Sequence, residues 1–356
     1  MIAKKNFILK QLQKLLFIAS VSMACMGITA CSEGEAQVDY DSPYCTICEE
    51  YKDVRPKYVF SYAENQAKDY PTSLGAFRFA YLVHQKSRGR IQIRVYVDGE
   101  LGDEQELAKK MQQGGLDFMR ASMAGLTSYS PESQVLIMPY LYKDSDHMWR
   151  VLDGEIGQNI MDSFNGSGMV ALSWYDAGVR NFYSDKPIYC LEDMSGRVVR
   201  TQASDIMEDV ISCLGATTYP TEYDEVYSAL QTGRVDTAEN NFASFESMEH
   251  YKVAKYYILD GHMRIPELQL ISQTTYDKLT DEEKEIIESS AKESAIYERQ
   301  LWLEREEISR QKILDEGCVI IELSDEERAR FQAAVQPVYK KYCGPYMDLI
   351  EKIQSY

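Results

Sequence analysis

Catalytic signatures are the first thing this chain lacks. It has no GxSxG elbow, no HExxH, no Walker loop and no GxGxxG between a strand and a helix. Histidine is scarce, with four in 356 residues, and His84, His147, His250 and His262 do not lie at metal-ligand spacing. His147 and His250 fall within stretches that read as helices, where a surface or capping role is the ordinary one. Positive charge is outnumbered, 38 Lys and Arg against 56 Asp and Glu, for a net charge of −18. Such a surface excludes nucleic acid and anionic lipid as natural partners. Cysteine is sparse too. Cys45-Thr46-Ile47-Cys48 is a CxxC, but Cys190, Cys213, Cys318 and Cys343 are scattered. Zinc would need two close pairs, and a redox motif would open a helix in a thioredoxin-like unit. A local Cys45–Cys48 disulfide is the favoured expectation, an unpaired thiol pair the alternative. No metal and no cofactor is expected.

Long apolar runs are confined to the start. Lys4, Lys5, Lys10 and Lys14 precede LLFIASVSMACMGI, which has the length of a signal-peptide core. A spanning helix needs ~20 apolar residues. Ile28-Thr29-Ala30-Cys31 resembles a bacterial lipobox. Residues 1–30 are therefore expected to be a signal peptide, with Cys31 lipidated as the mature amino terminus. Residues 31–56 follow as a tether carrying the CxxC. Loss of four lysines takes the balance to 34 − 56 = −22. The remaining chain, about 320 residues, can bury two substantial cores.

The body begins near Lys57. Tyr58–Tyr62 reads as a strand, Leu74–Lys86 as a helix, Arg90–Tyr96 as a strand, and Glu104–Gln113 as a helix closed by Gly114-Gly115. LDFMRAS is a short strand. Alternation resumes after residue 166 in MVALSWYDAG, GRVVRTQ, ATTYPTE and VDTAENN. Strands separated by helices of about ten residues predict parallel sheets covered on both faces, in two α/β lobes. From Thr280 to Leu314 there is neither glycine nor proline. Ile286, Ile287, Ala291, Ala295, Ile296, Leu301, Leu303 and Ile308 form a broken stripe, so one or two long helices are expected across both lobes.

What the chain does have is a set of polar groups at strand ends. Arg200 ends the strand in GRVVRTQ, at the edge where open α/β sheets bind ligands. A guanidinium there can grip a carboxylate through two parallel bonds. Arg180 lies 20 residues upstream, and Asn240 and Asn241 supply amides downstream. Glu64, Asn65, Arg120, Tyr175 and Asp176 add hydrogen-bonding capacity. That combination suits a small polyhydroxylated acid, whose every desolvated hydroxyl needs a partner. A carboxylate pair for hydrolysis or elimination could be nominated only from Glu64 and Asp176.

Over residues 57–330 the chain resembles the solute-binding proteins of tripartite ATP-independent periplasmic (TRAP) transporters. The resemblance is carried by GELGDEQELAKKMQQGGLDF, IMPYLYKDSDHMWRVLDGEIGQ, GVRNFYSDKPI, LEDMSGRVVRTQ and EVYSALQTGRVDTAENN. It implies a two-lobe, periplasmic-binding-protein-like α/β fold with a cleft between lobes, hinge strands and a long helix beneath both. The implied lobes are 57–177 with about 266–305, and 178–265 with about 306–356. It further implies that Arg200 forms the principal salt bridge to the ligand carboxylate, with Arg180 second and Asn240 closing over it. The partners implied are a sugar acid and a small and a large permease subunit, with no enzymatic step. This chain departs from the family where Asn241 replaces a frequent proline and where Arg234 and Thr237 enlarge a turn. YAENQAKDYPT, FMRAS, WYDAGVR and RVVRTQASDIM resemble the hexuronate-binding branch, which makes Glu64, Asn65, Arg120, Tyr175 and Asp176 candidates for hydroxyl recognition or pocket support. Sialic acid, aldonates and C4-dicarboxylates remain alternative ligands, and a ligand-sensing module an alternative role.

Overall fold

The computed structural model describes residues 38–356. The expected signal peptide and the lipidation site Cys31 lie outside the described residues. Among the described residues eleven strands run in order: β1 (Tyr58–Ala63), β2 (Ile91–Tyr96), β3 (Phe118–Ser122), β4 (Met169–Tyr175), β5 (Arg180–Ser184), β6 (Val198–Thr201), β7 (Thr217–Pro220), β8 (Thr237–Asn240), β9 (Tyr256–Met263), β10 (Glu267–Ser272) and β11 (Val319–Glu322). They form two sheets, ordered β2-β1-β3-β10-β4 and β11-β9-β5-β8-β6-β7. The chain crosses between them at 176–179 and again at 264–266.

Neither sheet is purely parallel, contrary to expectation. β10 runs antiparallel to β3 and β4, and β5 antiparallel to β8 and β9. β5 and β10 begin at the crossings, where β8, β9, β3 and β4 end, so each runs against its neighbours. The mixed pairing is thus a consequence of the hinge.

One helix, Asp281–Asp315, underlies both sheets. Its start is sealed by a capping box in which Thr280 accepts from the Glu283 amide and Glu283 accepts from that of Thr280. Ile287 and Ala291 join the core of the first sheet with Phe60, Phe79, Phe118 and Ile271, whereas Ile313 joins Tyr183, Phe245 and Tyr257 under the second. The buried stripe differs from the apolar one. Ser290, Ser294, Glu298 and Ser309 face inward, while Ile296, Leu303 and Ile308 are exposed. Helical geometry carries the face through 287, 291, 294, 298, 302, 309 and 313 whatever residues stand there.

The expected tether 31–56 is docked over part of its length. Tyr44 meets Phe77 edge-on at 5.6 Å, Lys68 sits 4.3 Å above the Tyr44 ring, and the buried Cys48 amide donates to His84 Nδ1 at 3.1 Å. The two cysteines are free thiols, and Cys45 Sγ donates to the Ile47 carbonyl, so the favoured disulfide is absent. His147 and His250 are fully buried rather than superficial. His147 Nε2 bonds the Ile353 carbonyl at 2.8 Å, and His250 Nδ1 pairs with Tyr183 Oη at 2.8 Å. No helix among the described residues is long and apolar enough to cross a membrane.

Candidate functional site

A cavity of about 50 Å³, open to solvent, lies between the two sheets. The first lobe contributes Asn65 after β1, Glu104 and Gln105, and Ala121 and Ser122 from β3. The second contributes Arg200 from β6, Gln202, and the run Thr221-Glu222-Tyr223 after β7. Each segment leaves the carboxyl end of a parallel strand, which is why polar side chains converge there.

Arg200 is the feature that defines the cavity. β6 and β7 pair in parallel with Arg200 opposite Tyr219, which sets the guanidinium beneath the following turn. Its Nε and Nη2 donate to the Thr221 carbonyl at 3.1 and 2.6 Å. The residue is 2% exposed, yet it forms no ion pair among the described residues. Burial lowers its pKa against the pull of Glu239. Gln202 Oε1 and Tyr223 Oη, both lining the cavity, are likewise buried without a partner. A buried cation and two unpaired dipoles are costly unless something else completes them.

Arg180 stands differently. Its guanidinium is engaged by Glu239, through Nε to Oε2, Nη2 to Oε1 at 2.8 Å and Nη2 to the carbonyl at 3.0 Å. Glu239 Oε2 is 3.5 Å from His262 Nε2, and His262 Nδ1 is 2.7 Å from Asp260. Phe182 stacks on the imidazole at 4.3 Å. Burial opposes charge on both, but Arg180 and His262 hold the Glu239 pKa at about 2, while Asp260 and Glu239 raise that of His262 to about 9. The second arginine is therefore the head of a buried chain of alternating charges. Neither Glu239 nor His262 emerged from the sequence as a site residue, although an acid inside a strand between Ala238 and Asn240 was a visible signal.

In the first lobe, Arg120 is fully buried and enclosed by acids. It donates to Glu64, Asn65 and Glu104, with Glu104 Oε1 at 2.5 Å, and lies 2.8 Å from Glu267 Oε2. Asp117, three residues before Arg120, is taken up instead by Ser61 and Thr275. Glu64 and Arg120 thus lie behind the wall, and Asn65 lines it while its amide donates to Glu104 at 3.0 Å.

The remaining candidates lie outside the cavity lining. Tyr175 is buried against Gly75 and bonds Ser294 at 3.1 Å, beneath the long helix and away from the cavity lining. Asp176 neither lines the cavity nor orients Arg180. It accepts from the Gly178 amide at 2.8 Å and Trp149 Nε1 at 3.1 Å, and so shapes the hinge. Asn241 caps the helix Phe242–Ser247 by accepting from Ser244, and donates to the Ala177 carbonyl at 2.9 Å. Asn240 ends β8 opposite Asn181, outside the cavity lining, and its side-chain oxygen is held by the Asn241 amide at 2.9 Å. Among the described residues no group of three or more His, Cys, Asp or Glu could hold a metal ion.

Two lobes joined by crossing strands, with an unpaired cation in the cleft, are the features of a periplasmic-type solute receptor. The likeness to known proteins is extensive. The chain belongs to the bacterial extracellular solute-binding protein family 7 (DctP), whose pattern it matches over residues 62–344. A solute-binding protein of Chromohalobacter salexigens is 35% identical over 281 residues, covering 79% of this chain and 83% of its own. A TRAP periplasmic solute-binding protein of Xanthobacter autotrophicus, solved with β-D-galacturonate, shares 36% identity at a TM-score of 0.81, covering 83% of this chain and 99% of that one. Its counterpart from Pseudomonas putida F1, solved with D-glucuronate, shares 33% identity at 0.82, covering 84% and 97%.

Proposed function

We propose that this protein is the extracytoplasmic receptor of a TRAP transporter and that it captures a hexuronate, D-galacturonate or D-glucuronate, for delivery to the membrane permease. The observation that carries the reading is Arg200, buried in the interlobe cavity without a carboxylate partner. Two of its five N–H groups are spent on the Thr221 carbonyl, which leaves 5 − 2 = 3 for a ligand carboxylate. The acids and amides opposite can accept and donate to hydroxyls. Two relatives of the same fold, cited above, hold galacturonate and glucuronate.

In this reading Arg180 and Asn240 support the carboxylate end from β5 and β8, and Asn65 and Glu104 receive hydroxyls. Lobes 57–177 with 266–305, and 178–265 with 306–356, close about the two crossing strands as ligand bridges them. Export and anchoring would follow from the signal at 1–30 and lipidation of Cys31. No bond is made or broken, in keeping with the separate engagement of Glu64 by Arg120 and of Asp176 in the hinge.

Differential scanning fluorimetry with D-galacturonate, D-glucuronate, D-erythronate, sialic acid and succinate tests the proposal. Hexuronates are expected to raise Tm at micromolar concentration. A shift with succinate alone would overturn the sugar-acid reading.

A further inference from the structure

The charges around the cavity are strongly unequal. On the second lobe, Arg180 is neutralised by Glu239, which leaves Arg200 as the unpaired cation of the lining. On the first, a single guanidinium, Arg120, is shared by Glu64, Glu104 and Glu267. One positive charge cannot balance three negative ones. Burial raises the Glu267 pKa to about 8 in spite of Arg120, with Glu104 and Glu64 adding to the rise, so one proton is retained near neutrality. Even then Arg120, Glu64 and Glu104 sum to +1 − 2 = −1. Glu222 adds a further carboxylate from the second lobe. Burial raises its pKa, and so do Asp103 and Glu104 across the cleft, against the pull of Arg200.

We propose that Glu104 and Glu222 are specificity determinants that restrict the site to acids with one carboxylate and reject the corresponding dicarboxylates. The proposal rests on the hexuronate reading and deepens it. A hydroxyl donates to a carboxylate, so a sugar acid can give its carboxylate to Arg200 and its hydroxyls to Glu104 across the cleft and to Glu222 beside the arginine. A second carboxylate has no proton to donate, and it would meet the net negative wall as the lobes close over it. Like charges a few ångströms apart in such a setting weaken binding by roughly a hundredfold. The same groups lie in different lobes, so ligand hydroxyls also separate Glu222 from Glu104 and Asp103 as the lobes approach.

Isothermal titration calorimetry of D-galacturonate and D-galactarate tests this, using the whole mature chain and its Glu222→Gln and Glu104→Gln variants. In the unsubstituted protein galactarate is expected to bind roughly a hundredfold more weakly than galacturonate. Either variant should narrow that ratio about tenfold. Because galactarate is linear, rejection by shape alone would leave the ratio unchanged in both variants, and that result overturns the proposal. Galactarate bound as tightly as galacturonate by the unsubstituted protein overturns it as well, and leaves the hexuronate reading standing. Failure to bind either D-galacturonate or D-glucuronate removes the hexuronate reading and this proposal with it.

Discussion

Replacing Arg200 by alanine separates a ligand anchor from a structural arginine. Three N–H groups of the guanidinium are unbonded, and a carboxylate can take two of them side by side. Each charge-assisted bond is worth ~1.5–3 kcal/mol net, so about 3–6 kcal/mol of binding is lost. Kd for D-galacturonate should then rise by roughly 10²–10⁴. The upper end is expected, because the carboxylate would enter a cleft whose other wall is acidic. Stability moves far less. The Thr221 carbonyl loses a partner, at about 1 kcal/mol, but an unpaired buried cation is removed at the same time. The ligand-free Tm should stay within about 4 °C. Calorimetric titration beside a thermal melt reads both quantities. Unchanged affinity, or a collapse of Tm with affinity retained in the folded fraction, would refute the anchor assignment.

Four further outcomes follow from the same geometry. His262 has a folded pKa of about 9 against an ordinary 6.5, so its contribution is complete below pH 6.5 and is lost as pH rises to 9. The change is about 3 kcal/mol. In urea melts His262→Gln should flatten the decline between pH 6.5 and 9. Asn241→Ala removes a helix cap and the bond to Ala177, which costs about 1–3 kcal/mol with galacturonate affinity changed only a few-fold. Asn240→Ala should show the opposite pattern in the same pair of assays. Gly178 has φ of 63°, and an added Cβ would stand 2.6 Å from Glu306 Oε1 and 2.9 Å from Trp302 Nε1. Gly178→Ala is therefore expected to lower the urea midpoint, by about 1–3 kcal/mol in stability.

Much of the fold was legible because it is encoded locally. Strand and helix periods located β1, β2 and β6, and the absence of glycine and proline after Thr280 announced the long helix. The inward face of that helix was misread, since apolar residues were taken as its guide. Ile296 and Leu303 are exposed while Ser294 and Glu298 are buried. The partners that bury them, Tyr175 and the Asp176 amide, lie 119 and 122 residues away. The docking of residues around Tyr44 and Cys48 was illegible for a similar reason. It depends on Phe77 and His84 sharing one face of the helix Pro71–Lys86.

Among the site residues, sequence pattern and family likeness singled out Arg200, Arg180 and Asn65 but could not rank their charges. Tyr175, Asp176 and Asn241 were polar residues near strand ends, and each proved to be spoken for by structure: a serine under the long helix, a hinge amide and a helix cap. Strand ends are crowded with backbone donors, so polar residues there serve the chain as often as a ligand.

By itself, then, the sequence determined two α/β lobes, a family and an arginine at a strand end, because periodicity and short motifs act over a few residues. Only the tertiary structure decided which arginine is free. Arg180 meets Glu239, 59 positions away, because β5 and β8 are neighbours, and Arg120 meets Glu64 across 56 positions. Arg200 meets a carbonyl instead. Whether a buried charge is paired is a property of the space around it, and for this protein that pairing separates the candidate anchor from its supports.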